Sequence, residues 1–256
     1  MPSLRSAKGL SRNKPDPLFL KAFAAHRLGD LATAQAGYER CLARNPEHPY
    51  ALMNLGSIWR QRGDPSQAIV YLRRAASLIP RDPAAHYNLG NALLDAQDNA
   101  AAARSYRAAL TLAPKDAATW YNLALALRNL RETAAERDAY GKAIVCNPDH
   151  LEARLNLAES LSAFGEVSAA EQVLLALIEH APAYAPARNN LAQLQQETGR
   201  HTQARETLEQ VLTLAPDLAE AHSNLLMGLQ YVPGLSTDDL TDRARQWGRW
   251  AMARVI

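Results

Sequence analysis

Of the chain's 256 residues, 48% are hydrophobic but only 6% are aromatic, so alanine and leucine, both strong helix formers, carry most of the apolar content. Lys plus Arg number 28 against 26 Asp plus Glu, a formal charge of +2 that excludes the strong positive field a nucleic-acid backbone requires. The two cysteines, Cys41 and Cys146, stand far apart in sequence and read as reduced core or near-core residues, as suits a reducing compartment.

The opening MPSLRSAKGLSRNKPDP is basic but lacks the apolar run of a signal peptide. No later stretch approaches a membrane span. The expectation is a cytoplasmic chain with neither a membrane nor a nucleic-acid partner, residues 1–14 forming a disordered basic tail.

Beyond that tail the chain repeats itself. Prolines stand at 46, 80, 114, 148, 182 and 216, and asparagines at 54, 88, 122, 156, 190 and 224, both series stepping by 34 residues. A 34-residue period with small residues at helical spacing and a closing proline resembles the tetratricopeptide repeat, a helix-turn-helix unit. The resemblance implies an all-α fold, a right-handed α-solenoid in which each unit touches its neighbours.

Numbering each unit from 1 to 34, with the recurrent proline at position 32, gives six units: 15–48, 49–82, 83–116, 117–150, 151–184 and 185–218. The first is degenerate, with Lys21 and Ala25 at positions that usually carry large apolar residues, and is expected to pack less tightly. Units two and three are the best formed. Gly56 and Gly90 at position 8, Ala68 and Ala102 at position 20, and Ala75 and Ala109 at position 27 mark close helix crossings, where a larger side chain would cost about 1–3 kcal/mol.

Local chemistry sets the boundaries. The proline at position 32 ends the second helix near Ile79 or Ala113. Asp82 before Pro83 reads as an N-cap followed by proline at the first helical position. Gly29, Gly63, Gly165 and Gly199 at position 15 suit the turn inside each hairpin. Unit four departs from the pattern, with Arg131 at position 15 and Glu136 at position 20, where alanine recurs. Glu136 is expected to be a crowded, unpaired buried carboxylate whose replacement by alanine raises stability. Units five and six return to the pattern with Ala158, Ala170, Leu174, Ala192, Ala204 and Leu208.

The stretch 219–256 opens as a seventh unit, then breaks at Leu226 and Pro233-Gly234. STDDLTDRARQWGRWAMARVI reads as one amphipathic helix, capped by Ser236 or Thr237, with Leu240, Ala244, Trp247 and Ala251 on one face. Trp247 and Trp250 either cap the apolar end of the solenoid or offer a docking face to a catalytic partner.

No catalytic constellation emerges: the seven histidines show no metal-ligand spacing, and no phosphate loop, GxSxG or CxxC is present. Neither a cofactor nor catalytic residues are expected, and a lone histidine reads as a surface or packing residue. The position-6 asparagines Asn54, Asn88, Asn122, Asn156, Asn190 and Asn224 lie on the first helix of each unit. In this fold those helices line the concave side.

A ladder of amides there, with Tyr87, Tyr121, Asn91, Asn189 and Gln193 close by, offers donors and acceptors to the backbone of an extended peptide whatever its sequence. The alternative is structural, each amide bonding to a neighbouring repeat. The lysine and arginine pattern of a carboxylate clamp for chaperone tails is absent, since positions 5 and 6 hold residues such as Met53, Tyr87 and asparagine.

Residues 222–251, HSNLLMGLQYVPGLSTDDLTDRARQWGRWA, resemble the junction in O-linked N-acetylglucosaminyltransferases and SPINDLY-type proteins that joins the repeats to a glycosyltransferase domain. The asparagine ladder is also a feature of that family. The resemblance implies a substrate-recognition arm, either separate or part of an O-glycosyltransferase whose catalytic domain lies elsewhere. A general assembly scaffold is the third reading.

Overall fold

The computed structural model describes residues 16–232, 234 and 236–252, of which 239, 246, 250 and 251 are described through their backbone alone. The expected tail at 1–14 and the residues Pro15 and Pro233 lie outside the described residues, as do the side chains of Trp250 and Ala251. Fourteen helices and no strand are found among the described residues. In order they are α1 (Pro17–Arg27), α2 (Leu31–Arg44), α3 (Pro49–Gln61), α4 (Pro65–Leu78), α5 (Pro83–Asp95), α6 (Asn99–Leu112) and α7 (Ala117–Asn129). There follow α8 (Thr133–Cys146), α9 (Leu151–Ala163), α10 (Val167–His180), α11 (Ala185–Glu197), α12 (His201–Leu214), α13 (Ala219–Leu229) and α14 (Thr237–Met252).

Helices pair as α1 with α2, α3 with α4 and so on, and the chain divides into two compact units between Cys146 and Asn147. Each unit is an all-α solenoid of helical hairpins. No helix among the described residues is long and apolar enough to cross a membrane.

Each hairpin is shaped by the same local devices. The side chains of Asp30, Asp64 and Asp98 accept the Thr33, Gln67 and Ala101 amides at 2.9–3.1 Å, capping α2, α4 and α6. Asp82 caps α5 through the Ala84 amide at 2.9 Å. At the turn within the hairpin, Gly63 N donates to Arg60 O and Asp64 N to Trp59 O, the paired bonds of a left-handed helix stop.

That stop needs positive φ, and Gly29, Gly63, Gly165 and Gly199 supply it at 77–80°. Gln97 and Arg131 occupy the same register with φ of 62° and 60°, so two side-chain-bearing residues accept a conformation that glycine adopts without strain. Between hairpins the proline sits second in a four-residue turn, closed for instance by Asp82 N to Ile79 O at 3.0 Å and Asp116 N to Ala113 O at 3.2 Å.

The cores confirm why small residues recur. A Cβ on Gly56 would lie 2.6 Å from Leu72 Cγ, and one on Gly90 2.6 Å from the Tyr106 ring. Gly37 is equally tight against Ala22, a contact the sequence reading passed over. In the first unit Tyr38, Leu72, Tyr106 and Tyr140 at position 24 are fully buried, as are Cys41, Ala75, Ala109 and Ala143 at position 27. In the second unit position 24 is Leu174 and Leu208 and position 27 the larger Leu177 and Val211, all buried.

Lys21 is exposed and Ala25 half-buried, and the apolar filling of the first hairpin comes from Phe19, which lies against Tyr38, stacks on His48 at 4.8 Å between centroids, and has Phe23 beside it. One expectation is corrected here. Glu136 is buried, as its register requires, yet it is not an unpaired carboxylate: its Oε1 lies 3.4 Å from Arg128 Nε. The expected gain from Glu136→Ala therefore loses its basis, since the substitution also removes an ion pair.

Candidate functional site

The first helices of successive hairpins touch one another within each unit, α3 with α5 and α5 with α7, then α9 with α11 and α11 with α13. Position 6 lies at this contact. Asn122 Nδ2 on α7 donates to Asn91 Oδ1 at 2.9 Å and to Tyr87 OH at 3.3 Å, both on α5. Asn91 Oδ1 also accepts from Tyr106 OH at 2.8 Å. In the second unit Asn190 Nδ2 donates to Glu159 Oε1 at 2.9 Å and Asn224 Nδ2 to Asn189 Oδ1 at 3.2 Å. Each of these amide nitrogens thus ties its helix to the first helix of the preceding repeat.

The candidate residues separate by exposure. Asn54, Asn91 and Asn189 are buried, so they brace the wall from behind. Asn88, Asn122, Asn156, Asn190 and Asn224 are half-buried, as are Tyr87 and Tyr121, and Gln193 is exposed. Tyr87 and Tyr121 lean on Tyr106 and Tyr140, with ring centroids 6.2 and 6.0 Å apart. A half-buried asparagine whose nitrogen is committed to the neighbouring repeat retains its carbonyl oxygen as a further hydrogen-bonding group.

In the second unit the first-helix face is hollow. A cavity of about 320 Å³ is bounded by α9, α11 and α13 and floored by α10, with Leu174, Leu194 and Ala158 in its apolar lining. Its polar lining comes from Glu159, Ser162, Asn190, Gln193, Glu197 and Glu220. Gln193 Nε2 donates to Glu197 Oε1 at 3.1 Å, and Ser162 Oγ approaches Glu197 Oε2 at 3.4 Å. The size falls at the lower end of the about 300–1,000 Å³ usual for ligand clefts.

Position 4 carries a pattern the sequence reading missed. His86 Nε2 lies 2.9 Å from Pro80 O, Trp120 Nε1 donates to Pro114 O at 2.8 Å, and Arg154 Nε donates to Pro148 O at 3.1 Å. Arg188 donates to Pro182 O, and His222 Nε2 lies 2.9 Å from Pro216 O. Histidine, tryptophan and arginine share only an N–H at comparable reach. That donor satisfies the prolyl carbonyl left without a partner beyond the helix end. A search by donor class, rather than by residue type, would have found the pattern.

Three further titratable groups are shaped by burial. Burial pushes the Cys41 thiol up to about 11, with Asp16 nearby adding to the shift. Burial likewise lowers His26 and His48 below the usual histidine value; His48 Nδ1 accepts the Ala51 amide at 3.1 Å and caps α3. No group of three or more His, Cys, Asp or Glu able to hold a metal ion occurs among the described residues. Cys41 and Cys146 are both free thiols.

Among solved structures the chain is similar to a tetratricopeptide repeat protein of Parabacteroides merdae, with 18% identity, 90% of this chain and 97% of that one covered, and a TM-score of 0.69. PilF of Pseudomonas aeruginosa matches at 18% identity over 81% of this chain and 95% of its own, with a TM-score of 0.66. YrrB, described as a tetratricopeptide protein with an unusual peptide-binding site, matches at 20% identity over 72% and 95%, with a TM-score of 0.59. These identities show the fold alone. A search of curated proteins gave no match. One tetratricopeptide repeat model matches residues 19–86 and 87–150, and a second tetratricopeptide model matches 176–226. With the first model alone spanning half its length, the chain belongs to the tetratricopeptide repeat family.

Proposed function

We propose that the chain is a protein-interaction scaffold that holds extended peptide segments of its partners on the faces formed by its first helices. The observation that carries this reading is the cavity on the first-helix face of the second unit, where amides, carboxylates and an apolar lining stand together. An extended strand of a partner has unpaired backbone N–H and C=O groups, and half-buried amides such as Asn122 and Asn190 are suited to pair with them. YrrB, of the same fold, is described as having a peptide-binding site.

Ordering a peptide costs about 1–2 kcal/mol per residue, and each amide bond returns about 0.5–1.5 kcal/mol, so the scaffold binds weakly and tolerates varied sequences. Selection of a displayed library of short unstructured peptides against the purified chain, followed by anisotropy titration of the enriched ones, tests the reading. Enrichment of peptides whose binding weakens in Asn190→Ala supports it; a library from which nothing is enriched overturns it.

The finer reading, a recognition arm of an O-linked N-acetylglucosaminyltransferase-like protein, rests on the resemblance of residues 222–251, which hold most of α13 and of α14. Under it the chain by itself transfers no sugar, and α14 faces a catalytic domain or partner. Sugar transfer from a nucleotide-sugar donor above a no-protein control would contradict that division of labour.

A further inference from the structure

The polar lining of the second unit's cavity has one sign. Glu159 comes from α9, Glu197 from α11 and Glu220 from α13, so three successive first helices each bring a carboxylate to one hollow. Among the described residues, neither Glu197 nor Glu220 is in an ion pair, and the cavity lining includes no lysine, arginine or histidine. The basic residues of α9 and α11 are engaged elsewhere: Arg154 and Arg188 donate to the carbonyls of Pro148 and Pro182.

The neutral polar groups of the lining sharpen the preference. Asn190 gives its nitrogen to Glu159 and Gln193 gives its nitrogen to Glu197. Each bond spends one of the amide's two N–H donors on a carboxylate and leaves the amide carbonyl as an acceptor. A lining of three carboxylates and two amide oxygens, beside Leu174 and Leu194, carries more acceptors than donors and a negative charge. The complementary guest has several N–H donors, a positive charge and an apolar stem.

We propose that this cavity receives a lysine or arginine side chain presented by an extended peptide of a protein partner. The proposal rests on the peptide-binding reading and names the residue class it selects. A cationic head meets carboxylates from three helices, its methylene stem lies along the leucines, and the peptide backbone remains at the rim for the amides. Glu197 and Glu220 are exposed, so the selectivity is electrostatic and screened by salt.

The test uses the full chain and fluorescein-labelled peptides of alanine and serine with a single central arginine, lysine or glutamine. At low ionic strength the two cationic peptides are expected to bind about tenfold more tightly than the glutamine peptide, as a few screened charge pairs allow. In the Glu197→Gln, Glu220→Gln double variant, with an unchanged circular dichroism melt, that preference is expected to collapse. Raising the salt should also erode it.

Equal binding of all three peptides overturns the proposal while leaving peptide binding intact. A cationic preference that persists undiminished in the double variant also overturns it, because the selecting charges would lie elsewhere. Arginine amide alone competing as well as the arginine peptide overturns the peptide as occupant and makes the site one for small cations. An empty selection in the library experiment removes the underlying reading instead.

Discussion

Trp120 closes the turn by which the chain enters its own repeat: its indole N–H reaches back six residues to the carbonyl of Pro114 at 2.8 Å, while Lys142 Nζ rests 4.6 Å above its ring. The bond links the first turn of α7 to the loop before it. Trp120→Phe keeps an aromatic surface for the lysine and removes the donor. The expected result is a loss of about 0.5–1 kcal/mol, read as a lower urea midpoint with unchanged slope. No change would mean that water replaces the indole at no cost.

Asn122 tests whether the position-6 amides brace the array. Asn122→Ala deletes the bonds to Asn91 and Tyr87 across the α5/α7 contact, for an expected loss of about 1 kcal/mol. Asn88 makes no such bond among the described residues, so Asn88→Ala is expected to be close to neutral. Replacing Asn88, Asn122, Asn156 and Asn190 together should therefore lower the thermal midpoint. An unchanged midpoint would mean that the position-6 amides do not brace the array.

Gln97 and Arg131 hold left-handed backbone that costs a side-chain-bearing residue about 1–2 kcal/mol, against the about 0.5–1 kcal/mol of extra unfolded-state entropy that glycine brings. Gln97→Gly and Arg131→Gly are each expected to stabilise by about 0.5–1 kcal/mol. The two lie in successive hairpins, and Asn99, which donates to Gln97 O at 3.2 Å, accepts from Asn129 at 2.9 Å, so thermal melts of the double variant against the two single ones also read the coupling between the turns.

Acid should weaken the first unit. Burial lowers His26 and His48 below the ordinary value of 6.5, so the unfolded chain takes up protons at a pH where the folded chain still refuses them. The sign follows: stability is flat above about pH 7 and falls as pH drops through 6.5 toward the lowered folded values. Protonated His48 would also lose the Nδ1 lone pair that accepts the Ala51 amide. His48→Asn keeps an N-cap acceptor without the titration, and urea midpoints at about pH 7.5 and 5.5 should draw closer in that variant.

The hairpins were legible because their causes are local or periodic. Asp82 and Asp98 cap helices from a fixed offset, and Gly56 and Gly90 recur where a Cβ would collide. The site was legible as a row of amides but not as a set of bonds. Whether Asn190 faces a peptide or Glu159 depends on residues 31 positions apart coming into register, and a single strand of text carries no such distance. Asn91 illustrates the cost. It sits next to the right face in sequence, yet it is buried and its oxygen receives both Tyr106 and Asn122.

The six-residue ties at position 4 have a further consequence for how such a chain can change over generations. Each begins and ends within one stretch from a proline to the first turn that follows it, as in Arg154 to Pro148 and His222 to Pro216. A duplicated or excised segment of 34 residues that holds such a pair carries its own tie along. Length is thereby an easily edited property of this architecture, while the donor at position 4 varies among imidazole, indole and guanidinium and gives way to Leu52 after Pro46.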